Sequence, residues 1–262
     1  MTKRFLGICT LILILGGSTP VSAQTAEPQY TYRWLIQPAL QIDHFSRSVK
    51  AEGEDDINRI KSTLISVNLG FEIREDFILG LTVGYSFNNF NAITFRRLPI
   101  SLELDVGDIG AFVAGVDLFK SLFHLKNMEI DLFGRAFYMF GAKPVWDIPG
   151  LSVSGQAEGR PGWLSVEAGP MVTYTGFGYF LPFVKIGYSK IWATFKMNET
   201  IENLTGSEEK KLTGLSDLLI NLGFNYDVSQ AFTIRVEGSL MPHADFKDLD
   251  FGLGFKFIYF LN

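Results

Sequence analysis

The sequence predicts an all-β fold: a closed, antiparallel, up-and-down transmembrane β-barrel of about ten strands. Three observations support this. Apolar and polar residues alternate with period two along most of the chain, which is typical of strands with two different faces. The composition combines 26 Gly and 24 Phe with 47% hydrophobic and only 19% charged residues. The connections between the alternating segments are short and long in turn, which is the layout of membrane barrels.

The first 23 residues have the features of a secretory signal peptide. Lys3 and Arg4 precede a short apolar segment, and small residues at 21–23 form a cleavage site. The apolar segment is too short to span a bilayer as a helix. We therefore expect cleavage after residue 23 and a single barrel domain over residues 24–262.

Charge and cysteine content exclude several classes of function. The formal net charge is −5 and no basic stripe is present, so we expect no nucleic-acid partner. The only cysteine, Cys9, lies in the leader, which leaves the mature chain without a thiol nucleophile or a disulfide. No spacing of His and acidic residues completes a metal site. We expect neither a metal nor another cofactor.

Ten segments carry the alternation in order along the chain. In the first, Tyr30, Tyr32 and Trp34 share one face, and Arg33 and Gln37 share the other. The ten predicted strands, taken from their first to their last alternating residue, are 30–43, 63–73, 77–87, 112–118, 128–140, 164–174, 180–188, 218–226, 232–240 and 249–261. Eight or twelve strands remain open as alternatives, because residues 90–106 also alternate. A soluble barrel with an inward apolar face is the other alternative.

The connections predict which end of the barrel faces outward. Short connections are expected at 74–76, 120–127, 175–179 and 227–231, and long ones at 47–61, 88–108, 141–162 and 193–214, with a shorter one at 241–248. Membrane barrels have short periplasmic turns and longer extracellular loops. Both termini are therefore expected on the periplasmic side. Pro38, Pro170 and Pro182 do not fit this pattern, since each removes a hydrogen-bond donor inside a strand.

Aromatic residues flank the short connections. Such rings are favoured at the boundary between hydrocarbon and water. The residues predicted to mark this interface are Tyr30, Phe71, Phe77, Tyr174, Phe180, Tyr226, Phe232 and Tyr259.

With these features, residues 30–261 resemble the small bacterial outer-membrane barrels, a broad class that includes the OmpA/OmpX type and the ten-stranded omptin type. The most specific element is the alternating last strand from Leu249 to Leu261, which is similar to the C-terminal signal of the barrel assembly machinery. That signal normally ends on an aromatic residue, whereas here Leu261 takes the position and Asn262 follows. The resemblance implies an outer-membrane location and contact with membrane lipid, lipopolysaccharide and the assembly machinery. It assigns no specific family and leaves the oligomeric state open.

Many charged residues fall on the face opposite the apolar one, which a membrane barrel turns toward its lumen. A barrel of about ten strands is narrow, so side chains should largely fill it. We expect the charges to pair, because an unpaired buried charge is costly. A turn centred on Gly176 would place Glu167 opposite Lys185. The predicted lumen network comprises Arg33, Glu72, Asp117, Glu129, Asp131, Arg135, Glu167, Lys185, Arg235, Glu237 and Lys256.

Four residues form a weak catalytic candidate. Asp43 and His44 end the first predicted strand, and His243 and Asp245 lie just before the last one. Barrel closure makes these two strands neighbours, and a histidine oriented by a carboxylate can act as a general base. The arrangement is loosely similar to that of the omptins, but here all the candidates lie on one side.

The sequence favours a non-enzymatic outer-membrane barrel that serves envelope integrity, adhesion or slow passage of small solutes, with a largely plugged lumen. A narrow porin-like channel is the first alternative. A surface hydrolase or lipid-modifying enzyme is the second. The barrel fold does not choose among them, because one fold carries many functions.

Overall fold

The computed structural model describes residues 35–74, 76–90, 92–104, 107–148, 154–244 and 246–261. The predicted signal peptide, Tyr30, Arg33 and Asp245 lie outside these residues. Fourteen strands are formed: β1 Leu35–Ala51, β2 Ile57–Arg74, β3 Phe77–Asn89, β4 Thr94–Phe95, β5 Leu102–Glu103, β6 Ile109–Leu125, β7 Met128–Phe140, β8 Val145–Asp147, β9 Gly155–Tyr174, β10 Phe180–Ile201, β11 Leu204–Gly214, β12 Leu218–Ser229, β13 Phe232–Pro242 and β14 Leu249–Tyr259. Within the described ranges, no helix has the length and apolar character needed to cross a membrane.

Ten strands pair in a ring that returns to its starting strand. The order is β1, β2, β3, β6, β7, β9, β10, β12, β13 and β14, and β14 pairs with β1. Each neighbouring pair in the ring is antiparallel. A ring satisfies the backbone hydrogen bonds between strands, as the hydrocarbon core of a bilayer requires. The prediction of ten barrel strands is confirmed.

The two ends of the ring differ, and we call them the turn end and the hairpin end. At the turn end, short connections at 75–76, 126–127, 175–179 and 230–231 join β2 to β3, β6 to β7, β9 to β10 and β12 to β13. At the hairpin end, β1, β2, β9 and β10 continue past their neighbours, and β11 pairs with both β10 and β1. In outer-membrane barrels the short turns are periplasmic.

The predicted long loops are wrong in extent. Residues 47–61 and 193–214 are mostly strand, because β1 and β2 pair from Leu35 to Lys50 and β10 pairs with β11 up to Ile201. The segment 141–162 contains β8 and the start of β9, and the segment 88–108 contains the small hairpin β4–β5. In the first two segments only the tips, 52–56 and 202–203, are connections, whereas the segment between β3 and β6 is a long connection as predicted.

The apolar face of the ring points outward, as predicted. The strands leave large apolar side chains exposed on one face, and these include Leu40, Ile65, Val67, Leu69, Leu81, Val83, Val116, Leu118, Leu132, Val184, Ile186, Leu222, Leu253 and Phe255. Exposed apolar patches of this extent are rare on soluble monomers. An apolar band around a ring of strands is instead the exterior of a membrane barrel. In this band the soluble-barrel alternative fails.

Toward the hairpin end the alternation reverses along the strands that extend there. In β10, Val184 and Ile186 are exposed, but further along it is Ile191, Phe195 and Met197 that are buried. The apolar residues have moved to the inward face, because outward positions beyond the membrane meet water. This reversal explains why the sequence pattern predicts these strands to be shorter than they are.

The inward apolar residues surround the connection between β3 and β6, forming what we call the hairpin-end core. This connection contributes Phe90, Ile93, Phe95, Leu98 and Leu104, all of them buried. The Phe90 and Phe95 rings each lie 5.4 Å from the Phe195 ring, measured between centroids. The surrounding strands contribute Val49, Ala51, Ile60, Leu64, Ile109, Ala111, Val113, Phe137, Met139, Ala157, Trp163, Ile191, Ala193, Phe195, Met197 and Leu212.

The prolines lie where strand pairing begins or is interrupted. The β1–β14 ladder begins at Ala39, after Pro38, and the β9–β10 ladder begins at Phe183, after Pro182. The β9–β10 ladder is also interrupted between Met171 and Ala168, and Pro170 lies in this gap. A missing donor at such a position breaks few ladder hydrogen bonds.

Outward leucines near the middle of the band test the membrane exterior. We expect Leu81→Arg, Leu132→Arg and Leu222→Arg each to lower the free energy of unfolding by about 2–4 kcal/mol, because a cation would face hydrocarbon. Urea unfolding of protein refolded into lipid vesicles measures this cost. The matched control is Leu204→Arg at the exposed tip of the β10–β11 hairpin, where little change is expected. Equal losses at all four positions would contradict the assignment of the band.

Candidate functional site

The centre of the lumen is occupied by one arginine that reaches three acidic residues. Arg135, from β7, lies 2.8 Å from Asp117 (Nε to Oδ1), 3.5 Å from Glu237 and 3.9 Å from Asp43. Asp117 is on the adjacent β6, whereas Glu237 on β13 and Asp43 on β1 lie across the ring. The Arg135 side chain therefore bridges the lumen.

A lysine from β10, which lies between β7 and β13 in the ring order, completes this group. The Lys185 ammonium, from β10, is 2.5 Å from Glu237 Oε2. It also lies 5.2 Å from the centroids of the Phe133 and Phe183 rings, within range of a cation–π interaction. We call Asp43, Asp117, Arg135, Lys185 and Glu237 together the Arg135 network.

Two further cations lie on the turn-end side of the network, and each binds an amide. Arg235 Nε donates to Asn225 Oδ1 at 2.7 Å, and Lys256 Nζ donates to Asn68 Oδ1 at 2.9 Å. Both side chains face a cavity of about 130 Å³ that Asp117, Arg135 and Lys185 also line. A smaller cavity, of about 60 Å³, lies on the other side of the network between Asp43 and Trp163.

The other predicted network residues lie apart from this centre. Glu129 is near the turn end, where its carboxylate is 3.6 Å from the exposed His124 ring. Asp131 is buried and bonds to Ser121. Glu72 lies on β2 near the turn end, opposite Leu35. Glu167 accepts a long hydrogen bond of 3.5 Å from Ser189.

The expected Glu167–Lys185 pair is wrong. Glu167 lies opposite Ser189, and Lys185 lies opposite Met171. The turn between β9 and β10 is centred on Gly178 rather than Gly176, and Gly178 has a positive φ of 70°. The offset moves each residue past its expected partner.

A second polar cluster, which the sequence did not predict, is buried near the hairpin-end core. Asp250 accepts hydrogen bonds from the Ser48 amide at 2.8 Å and from the Ser216 hydroxyl. Its carboxylate also lies 3.2 Å from His243 Nε2 and 3.7 Å from Arg47 Nε. Arg47 was placed in a predicted loop. Asp250 could have been found, because it occupies an inward position of the last strand.

Of the four catalytic candidates, Asp43, His44 and His243 are described, and they lie in different surroundings. Asp43 belongs to the Arg135 network inside the lumen, whereas its neighbour His44 lies on the other face of β1 and bonds to Thr63 Oγ1 at 3.0 Å. His243 is buried against Asp250, and Asp245 is outside the described residues. Among the described residues, no group of three or more His, Cys, Asp and Glu side chains forms a metal-binding cluster.

The predicted interface aromatics lie at the ends of strands that meet at the turn end. Phe180 lies opposite Tyr226, and Phe232 lies opposite Tyr259. Phe71, Phe77 and Tyr174 lie beside the other short turns. Tyr30 is outside the described residues. These positions fit the predicted interface, which stays a prediction.

Comparison with known proteins finds structural likeness only. No family model matches the chain, and no curated protein matches it. The solved structures that resemble it include the outer membrane protease OmpT from Escherichia coli, with a TM-score of 0.47 and 10% identity over 90% of this chain and 98% of that one. The translocator domain of the autotransporter NalP from Neisseria meningitidis gives 0.40 and 10%, over 86% and 88%. Ail from Yersinia pestis gives 0.27 and 11%, over 86% and 97%.

These scores are too low to carry an argument about activity, so the class rests on the geometry of the chain itself. The ring of ten antiparallel strands has an apolar exterior and a charged interior, with short turns at one end and long hairpins at the other. Together these features define an outer-membrane β-barrel. The chain is a ten-stranded protein of this class, and its location is the bacterial outer membrane.

The Arg135 network predicts a large loss of stability when its central cation is removed. Arg135→Ala leaves Asp43, Asp117 and Glu237 with an uncompensated buried charge, which typically costs about 3–5 kcal/mol. Urea unfolding in vesicles measures this difference. The matched control is Arg160→Ala, which removes a partly exposed arginine paired with Glu158 and should cost at most about 1 kcal/mol. Similar losses in both variants would show that the network is not a stabilising centre.

Proposed function

We propose that the chain is a non-enzymatic outer-membrane protein with a closed lumen, which acts through its presence in the envelope and through its outer surface. The observation that supports this most strongly is that the lumen is occupied at two levels. Each level has a different chemistry, so the two obstruct solutes independently.

The first obstruction is the Arg135 network. Arg135 contacts acidic residues on both sides of the ring, and it lines both lumen cavities. The side chain thus separates the larger cavity from the smaller one. A solute that passed this level would have to displace a cation from three carboxylates.

The second obstruction is the hairpin-end core. The connection between β3 and β6 packs its apolar side chains against those of the surrounding strands, with Phe95, Met139 and Phe195 fully buried. Opening a path here would expose this apolar surface to water, at about 25 cal/mol for each Å². The core therefore disfavours a standing aqueous channel at the outer end.

Envelope integrity and adhesion remain the roles that such a barrel would serve. Strands β9, β10 and β11 extend the barrel beyond the band, and exposed positions there, such as Gln156, Lys196 and Lys211, are polar. An enzymatic role has less support, because the candidate residues are separated and His243 is buried. The narrow channel is the alternative that the conductance measurement below distinguishes.

Conductance across planar bilayers tests the closed lumen. Four refolded proteins are compared: the unaltered chain, Arg135→Ala, a variant with residues 92–104 replaced by a short Gly-Ser linker, and the combination of both changes. We expect the unaltered chain and both single variants to be silent, because one obstruction remains in each. The combined variant should conduct.

Folding of each protein is checked by the heat-dependent shift of its band in gel electrophoresis, and only folded samples are compared. Stable conductance steps in the unaltered chain would reject the closed lumen and favour the narrow channel. A conducting single variant would show that the obstruction left intact in that variant is not a barrier.

A further inference from the structure

Two cations in the turn-end half of the lumen lie side by side. Arg235 on β13 and Lys256 on β14 are directly opposite in the strand pairing, and both line the 130 Å³ cavity. Like charges at directly opposite positions destabilise a sheet. Among the described residues, neither cation has a carboxylate within 4.0 Å; their bonds are to Asn225 and Asn68.

The nearby carboxylates are already engaged by other donors. Asp117 Oδ1 binds Arg135, and its Oδ2 accepts from Asn68 at 2.8 Å and from Thr82 at 3.0 Å. Glu237 binds Lys185 through Oε2 and faces Arg135 through Oε1. These two acids thus make their ion-pair contacts with Arg135 and Lys185 and not with Arg235 or Lys256.

The other acidic residues of this region also have interaction partners. Asp131 bonds to Ser121, and Asp43 accepts from the Gln41 amide. Glu72 has an interaction of its own. Arg235 and Lys256 therefore line the cavity with neutral amides, Asn225 and Asn68, as their hydrogen-bond acceptors.

The cavity wall includes Gly80, and Asn68 and Asp117 pack against it so closely that a Cβ there would come within 2.9 Å of Asn68 Nδ2 and 3.1 Å of Asp117 Cβ. Arg235 and Lys256 are only half-buried, so solvent reaches them. A cavity, solvent access and two adjacent cations coincide at one place.

We propose that this cavity binds a small oxyanion, of the phosphate or sulfate type, between the Arg235 guanidinium and the Lys256 ammonium. A guanidinium presents a fork of N–H donors that matches two oxygens of such an anion, and an ammonium adds a compact charge. The bound anion would remove the repulsion between the two cations. The site does not depend on whether the lumen conducts.

Isothermal titration of the folded barrel in detergent with sodium phosphate tests the proposal, with chloride used to hold the ionic strength constant. We expect saturable binding of one phosphate per chain. Arg235→Gln and Lys256→Gln should each weaken it about tenfold or more, since a hydrogen bond to a charged group contributes about 1.5–3 kcal/mol. Arg235→Lys should retain part of the affinity. The control is Lys50→Gln, which neutralises an exposed lysine paired with Asp55 at the hairpin end.

Thermal unfolding supplies a second readout that a purely structural role would not give. Phosphate should raise the Tm of the unaltered chain and of Lys50→Gln, but not that of Arg235→Gln or Lys256→Gln. Without phosphate, the two lumen variants should be at least as stable as the unaltered chain, because a like-charge contact is removed. Absence of saturable binding, or equal weakening by Lys50→Gln, would overturn the proposal.

Discussion

Closure of the ring of ten strands is the constraint on which the other features depend. In a bilayer, water is not available to bind exposed backbone groups, so every strand needs two partners. The ring provides them, and its outward face is then free to be purely apolar. The ladder between β9 and β10 even tolerates an interruption beside Pro170. There, Gly169 and Gly187 let the two backbones approach where a Cβ would collide with backbone atoms of the opposite strand.

Closure also determines where the charged residues go. The outward-facing side chains contact lipid. Because side chains alternate between the two faces of a strand, the polar residues of the band point into the narrow lumen. Asp117 and Arg135 are directly opposite on neighbouring strands, and Glu237 reaches the same arginine from across the ring. Slipping either strand by one residue would turn these charges toward hydrocarbon. A buried ion pair is weak evidence for stability, so we assign the network mainly the role of specifying register.

The alternating pattern predicts the strands correctly within the apolar band, but it does not predict the strand segments that extend beyond the band. Ten barrel strands, their outward phase and two of the short turns follow from alternation, because lipid contact imposes a strict two-sided pattern. The extensions of β1 and β10 were predicted as loops, since their outward positions face water and become polar. Local pairing was also missed at Glu167, because moving the centre of the turn from Gly176 to Gly178 shifts its partner by four residues, from Lys185 to Ser189.

The candidate site shows the same limits. Asp43 and His44 are adjacent in a strand, so period two alone places them on opposite faces and argues against a joint catalytic role. Which charges meet across the lumen was not readable from sequence, since contacts such as Arg135–Glu237 depend on the tilt and stagger of strands far apart in the chain. The partners of Asp250 were hidden for the same reason, because they lie on β1, in the connection between β11 and β12 and in the connection after β13.

The barrel therefore has two sections with opposite polarity and different sources of stability. In the band, the exterior is apolar and the lumen polar, and packing against lipid gains little from the hydrophobic effect because lipid tails are as apolar as leucine. At the hairpin end the exterior is polar and the interior apolar, so burial of residues such as Phe195 and Trp163 does remove apolar surface from water. The soluble-barrel alternative thus describes one section of the molecule correctly. Because β1, β2, β9 and β10 run through both sections, the water-exposed core holds the registers that align the charges in the lumen below it.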